Sequence, residues 1–161
     1  MQKNLISSQG YQKYIDEFKH LAHKEKPHWV KEKEIAAAHG DRSENAEYIS
    51  AKEMLRNIDK RLRFLDKIIN NSQVVQIDTI PHDRVNFGSK VSVVDLESDE
   101  EKTFIILGTH ESNPSKNIIS NKSPLGKVLL GKVIGDEVEL NINGQKFEYE
   151  IEDIILYNFE D

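Results

Sequence analysis

The chain has 161 residues, 37% hydrophobic and 31% charged, with a formal net charge of −6 at neutral pH. That composition suits one or two small domains with a modest core, and no apolar run approaches the ~18 residues of a membrane-crossing helix. The absence of cysteine excludes disulfides, Cys-based zinc sites and thiol nucleophiles; with no apolar signal core at Met1-Gln2-Lys3-Asn4-Leu5-Ile6, a cytoplasmic setting is expected.

Residues 8–38 read as a helix. Tyr11, Ile15, Phe18 and Ala22, with Tyr14 and Leu21 beside them, form an apolar stripe that continues through Trp29, Ile35 and Ala36. Pro27 predicts a kink or a restart. His20 and His23 are three apart, but with no carboxylate or Cys ligand adjacent they read as solvent-facing.

The stretch His39-Gly40-Asp41-Arg42-Ser43-Glu44-Asn45 is a turn between two long helical patterns. Gly40 is expected to end the first helix in the left-handed conformation, and Asp41 or Ser43 to cap the second. Asp41 and Glu44 then stand three residues apart at the end of a helical hairpin. The plainer reading is a capping box, Asp41 at the N-cap and Glu44 at N3.

The second helix, from about 44 to 71, carries Tyr48, Ala51, Leu55, Ile58, Leu62, Leu65 and Ile69 in alternating steps of three and four. This heptad seam predicts an antiparallel coiled-coil hairpin with the first helix. Beside it Lys52, Arg56, Lys60, Arg63 and Lys67 share one face, a single-sign row suited to a polyanion.

From residue 73 the pattern turns to β. Gln73–Ile77 reads as a short strand and Asp78–Asn86 as a linker, so the domains are set at 1–77 and 78–161. Val91 and Val93 alternate with polar residues, Thr103–Leu107 is an apolar strand, and Ser123-Pro124 opens a short helix. Asn143-Gly144 signals a hairpin that sets Leu140 opposite Phe147 and Val138 opposite Tyr149. The same register opposes Glu139 to Glu148 and Glu137 to Glu150, which is unfavourable unless the register shifts or the face meets a partner. The fold class is α+β: a helical hairpin, then an antiparallel sheet with one short helix. Residues 1–77 carry fourteen Lys/Arg against eleven Asp/Glu and residues 78–161 eight against seventeen, net +3 and −9. Two surfaces with different partners are expected, and duplex binding by the whole chain is not.

No phosphate-binding glycine loop or Ser/His/Asp arrangement is present. Asp41 and Glu44 are the one candidate site. Two carboxylates make only a weak Mg²⁺ site, since the ion needs further ligands; a two-metal centre on another protein would supply them.

Gly40-Asp41-Arg42-Ser43-Glu44-Asn45-Ala46-Glu47-Tyr48 resembles the tip signature of the bacterial Gre transcript-cleavage factors. Leu5-Ile6-Ser7 with Gly10-Tyr11 resembles the family's start, and Ser123-Pro124-Leu125-Gly126-Lys127-Val128-Leu129-Leu130-Gly131-Lys132, followed by Gly135-Asp136, its C-terminal signature. Arg56-Asn57-Ile58-Asp59-Lys60-Arg61-Leu62-Arg63-Phe64-Leu65 resembles the GreB branch, whereas Ile49–Glu53 is less basic than that branch usually is, which leaves the preferred RNA length open.

The resemblance implies an elongation factor that is not itself an enzyme. Its hairpin enters the secondary channel of RNA polymerase, where Asp41 and Glu44 help to hold a Mg²⁺ shared with the polymerase, which cuts backtracked RNA at its own centre. Arg42, Lys52, Arg56, Lys60, Arg63 and Lys67 would contact the RNA 3′ end or the channel. An FKBP-like C-terminal domain would dock on the polymerase rim. A monomer with no tightly bound cofactor and no membrane partner is expected. The rival readings are a non-cleaving regulator of the same channel and a prolyl isomerase; against the latter, residues 78–161 contain no Trp.

Overall fold

The computed structural model describes residues 3–160. The chain divides into two compact units, Tyr11–Asn71 and Met1–Gly10 with Ser72–Asp161. The division differs from one at 77/78 because the first strand belongs with the later residues. β1 (Asn4–Ser7) pairs in parallel with β2 (Ser72–Val75), Asn4 opposite Ser72 and Ser7 opposite Val75. A four-residue strand leaves no pattern of its own in the sequence, and its partner lies beyond the whole hairpin.

Tyr11–Asn71 is the hairpin. One arm comprises α1 (Ser8–His20), a π-helical turn (Leu21–Glu25) and α2 (Lys26–Ala37); the other is α3 (Ala46–Asn70). The break expected at Pro27 is a π-bulge: the Lys26 N–H donates to the carbonyl of Leu21, five residues back. Pro27 has no N–H for the carbonyl four residues earlier, and its ring would press on that carbonyl. The wider turn just before it absorbs the misfit without ending the arm.

The heptad seam of α3 is the buried face. Ala51, Ile58 and Leu65 are buried, as is Ile68 beside them, and Tyr48, Leu55, Leu62 and Ile69 are half-buried. On the other arm Ala36 is buried and Tyr11, Ile15, Phe18, Ala22 and Trp29 are half-buried. Ile35, expected in this stripe, is instead 46% exposed. The Arg61 guanidinium grips the Glu17 carboxylate with two bonds, 2.6 Å from Nε and 2.9 Å from Nη2. Lys26 pairs with Asp59 at 2.8 Å, and the Tyr11 hydroxyl donates to the carbonyl of Ile69 at 3.3 Å.

The other unit holds a five-stranded sheet in the order β5-β4-β3-β7-β6, made of β3 (Ser89–Asp95), β4 (Glu101–Leu107), β5 (Ile118–Ser120), β6 (Glu137–Ile142) and β7 (Gln145–Leu156). It is antiparallel except at its edge, where β5 runs parallel to β4. This edge strand is missing from the sequence reading, which expects a wholly antiparallel sheet. Helix α4 (Pro124–Leu129) starts as expected: Ser123 Oγ accepts the Gly126 N–H at 3.1 Å, with Pro124 in the first turn.

Alternation along the strands builds two cores. Val85, Val91, Val93, Ile106, Leu129, Tyr149 and Ile151 form one; Ile77, Phe87, Ile105, Leu107, Ile118 and Tyr157 form the other. Residues 78–86 are therefore not a free linker. Val85 is fully buried and exchanges 2.8 Å backbone bonds with Lys132 and Gly131. The His82 imidazole bridges Ser89 Oγ at 2.6 Å and the Ile77 carbonyl at 2.9 Å.

The β6–β7 hairpin has the expected register, turning at Asn143 and Gly144 with φ of +51° and +81°. Glu139 does face Glu148, and Glu137 faces Glu150. Lys146 relieves the first pair, reaching Glu148 at 2.8 Å and Glu139 at 3.4 Å. These contacts hold its ammonium above the usual lysine range, the Glu148 hydrogen bond first among them.

Candidate functional site at the hairpin tip

The tip is built by how each arm ends. α2 stops at Ala37, and the Ala38 and His39 N–H groups fold back onto the last carbonyls. Gly40 lies beyond that stop at φ +141°, a region only glycine occupies readily, and not in the left-handed helical region expected of it. Nothing lies within 4 Å of where its Cβ would be, so the backbone angle and not crowding requires glycine here.

Helix α3 is capped by neither Asp41 nor Ser43. The N-cap is Asn45, in an extended conformation, whose Oδ1 accepts the Tyr48 N–H at 3.1 Å. Its Nδ2 donates across the hairpin to the carbonyl of Ala36 at 2.6 Å. The capping-box reading of Asp41 and Glu44 is thereby corrected, since Glu44 precedes the Asn45 cap and lies outside the helix. Asn45 lies inside the tip string, but the sequence offers several cap candidates in a row, and only the helix start chooses among them.

Asp41 is exposed, and one oxygen of its carboxylate bonds back to its own loop. Oδ1 accepts the Ser43 N–H at 3.0 Å and the Ser43 hydroxyl at 2.8 Å. These bonds, the backbone one first, hold its pKa below the usual aspartate range. Glu44 is exposed, and its side chain makes no hydrogen bond or ion pair among the described residues. Both carboxylates line one open hollow with His39, Gly40, Asn45, Ala46 and Glu47. Among the described residues no three acidic or histidine side chains converge as metal ligands. The hollow thus offers the hard oxygen donors that Mg²⁺ takes, but too few to enclose the ion.

Behind the tip runs a groove whose lining is mostly cationic, with Lys26 and Lys33 on α2, Arg42 in the loop, and Lys52, Arg56 and Arg63 on α3 against Glu53 and Asp59, the latter paired to Lys26. All five members of the basic row are exposed, but Lys60 and Lys67 do not line this groove. Tyr48 sits between two of the cations, its ring centroid 5.6 Å from the Arg42 guanidinium and 5.9 Å from Lys33 Nζ. Lys26 and Lys33 are absent from the sequence reading because no periodic row on α2 singles them out.

Comparison with known proteins agrees over nearly the full length. The family model for "Transcription elongation factor, N-terminal" matches residues 4–74, and that for "Transcription elongation factor, GreA/GreB, C-term" matches residues 80–156. The chain belongs to the GreA/GreB family of transcription elongation factors. Transcription elongation factor GreA of Helicobacter pylori (strain Shi470) is 43% identical over 154 residues, 96% of this chain and 94% of its own. That of Helicobacter hepaticus is 41% identical over 146 residues, 91% and 90% of the two chains. The GreB-like reading of residues 56–65 is thus not matched by the names these relatives carry. A solved GreA/GreB elongation factor from Nitrosomonas europaea is 21% identical with a TM-score of 0.42, covering 94% of this chain and 98% of its own. The GreA factor homolog 1 protein of Thermus thermophilus is 21% identical with a TM-score of 0.44, covering 96% and 99%.

Proposed function

We propose that the protein stimulates RNA polymerase to cleave backtracked RNA, the hairpin entering the secondary channel and presenting Asp41 and Glu44 to the polymerase's active centre. The observation that carries this reading is the division of labour at the tip. Asn45 starts the helix, so neither carboxylate is needed for capping, and both are left exposed on one hollow. Asp41 uses only Oδ1, toward Ser43, and Glu44 makes no side-chain bond among the described residues, so carboxylate oxygens remain open to an outside partner.

Asp41 and Glu44 would hold a Mg²⁺ jointly with ligands from the polymerase, consistent with a donor set that is right in type and short in number. Bound there, the ion would supply Lewis-acid polarisation. Asp41 would contribute a carboxylate held in place by Ser43, and Glu44 one free to reorient. Catalysis then belongs to the polymerase, and the chain acts as a cofactor protein. The groove of Lys26, Lys33, Arg42, Lys52, Arg56 and Arg63 suits the phosphates of the extruded RNA 3′ end. The acidic unit would dock on the polymerase rim, as a monomer, in the cytoplasm. No described helix is long and apolar enough to cross a membrane.

The test is cleavage of labelled RNA in a halted, backtracked polymerase complex with the full chain, compared with Asp41→Asn and Glu44→Gln. Each substitution is expected to lower the maximal rate by a factor of several hundred, the equivalent of about 3–4 kcal/mol of lost transition-state stabilisation. Raised Mg²⁺ should restore part of it. Native-rate cleavage by Asp41→Asn at low Mg²⁺ removes the reading.

A further inference from the structure

We infer that Asn45 is a positioning residue for the cleavage step, an inference that rests on the reading of Asp41 and Glu44 above. Its amide is used at both ends. Oδ1 takes the Tyr48 N–H and so sets where α3 begins; Nδ2 gives a 2.6 Å bond to the Ala36 carbonyl in the last turn of α2. Residues 36 and 45 bracket the loop that carries both carboxylates, so this one side chain closes the loop at its neck. Ala36 is buried and the bond to it part-buried. The Ala36 carbonyl also accepts the His39 N–H at 3.1 Å, so the same oxygen anchors the first turn of the loop.

The residue type follows from this double use. A helix cap needs only an acceptor, and Asp or Ser serves as well as Asn. Reaching a carbonyl on the opposite arm while accepting at the cap needs a donor and an acceptor on one short planar group, which an amide has and a carboxylate lacks. Arg42, between the two carboxylates, rests on the ring of Tyr48, whose own N–H Asn45 binds. The loop is thus held at its neck by Asn45 and braced on its flank by Arg42. With Asn45 changed, Asp41 and Glu44 remain in place chemically but are less well aimed.

The variants that separate positioning from capping are Asn45→Asp and Asn45→Ser. Each keeps the cap and loses the cross-hairpin bond, the first by chemistry and the second by length, and only the first adds charge. The full-length variants are titrated into halted, backtracked polymerase complexes, and the maximal cleavage rate and half-saturating factor concentration are read separately. Helical content is followed by circular dichroism. Both variants are expected to lose roughly ten- to a hundredfold in maximal rate, the scale of a misplaced catalytic group. Half-saturation should stay within about twofold, because docking does not use this bond, and the Mg²⁺ requirement should rise. A native maximal rate in both variants overturns the inference, as does a loss confined to half-saturation, or a rate loss that only tracks lost helix. Asp41→Asn, run alongside, distinguishes the failures. If it cleaves normally, the reading of the tip falls and this inference with it; if it is inactive while both Asn45 variants are native, only the positioning role falls.

Discussion

Ser7 and Glu111, 104 positions apart, share one carboxylate bridge: the Ser7 N–H reaches Glu111 Oε2 at 3.1 Å and the Ser7 hydroxyl binds Oε1. The Gly108 N–H adds a third bond to Oε2 at 2.9 Å, and the Gly10 N–H donates to Ser7 Oγ at 3.0 Å. Ser7 is fully buried. This bridge holds β1 onto the end of β4, where a Cβ on Gly108 would overlap the Leu5 carbonyl oxygen and one on Gly10 the Glu111 carboxylate. Glu111→Ala should therefore cost about 1.5–3 kcal/mol, the worth of hydrogen bonds to a charged group that leave buried donors unpaired when lost. Gly108→Ala should destabilise by a similar amount for steric reasons. Urea melts of the full chain measure both, and a cost below about 0.5 kcal/mol for either would contradict this account.

Asp41 owes its lowered pKa to Ser43, through the backbone N–H first and the hydroxyl second. Ser43→Ala removes only the second, so the Asp41 carboxyl should titrate higher than in the native protein yet stay below the ordinary aspartate value. The sign follows from linkage: a depressed folded pKa adds stability above the unfolded value, and loses it as pH falls through the folded one. Asp41 is fully exposed, so the readout is its carbon chemical shift against pH and not a melting temperature. An unchanged titration would show that the hydroxyl bond is not formed in solution.

The basic row should divide in function where the groove divides it. Lys52 and Arg56 line the groove, with Lys33 and Arg42 from the other wall, while Lys60 and Lys67 lie outside it. Lys52→Ala/Arg56→Ala should impair cleavage of long extruded RNA several-fold more than Lys60→Ala/Lys67→Ala, with the gap narrowing as salt rises, because the native contacts are then screened as well. Stability should move by no more than about 0.5 kcal/mol in either pair, since all four side chains are exposed. Equal effects from the two pairs would mean that charge count, not the groove, matters.

Glu17 and Arg61 tie the two arms near the middle of the hairpin. The Arg61 hydrogen bond, ahead of the Coulombic attraction, pulls the Glu17 carboxyl below the usual glutamate range, and Glu17 in turn raises Arg61. The folded pKa of Glu17 is depressed, so the stabilisation is complete above its unfolded value and disappears as pH drops through the folded one. Arg61 remains 46% and Glu17 37% exposed, so Glu17→Gln should cost only about 0.2–1 kcal/mol at neutral pH. Thermal melts in steps from pH 7 downward should show a native–variant difference that is complete at neutral pH and shrinks as the solution passes below the ordinary glutamate range. A difference that stays the same at every pH would point to packing, not charge, as the source.

The sequence by itself determined the features set by local pattern. The seam from Tyr48 to Ile69 announces a helix that buries one face, Ser123-Pro124 a helix start, and Asn143-Gly144 both a turn and the register of Glu137 and Glu139 against β7. Each depends on a few neighbouring residues, and local geometry is enough to specify it. The tip string was also visible, because Asp41 and Glu44 stand in a loop that no core requires.

Only the tertiary structure decided what depends on residues distant along the chain. β1 is a strand because β2 lies beside it across the whole hairpin, and β5 because the edge of β4 was open on its parallel side. Residues 78–86 look like a linker until Val85 is seen filling a core. The role of Asn45 was hidden for the same reason. Asp41, Ser43 and Asn45 are all competent caps, and the choice among them falls to the residue that can also reach Ala36 on the other arm. By taking both bonds, Asn45 leaves the two carboxylates out of the cap and exposed.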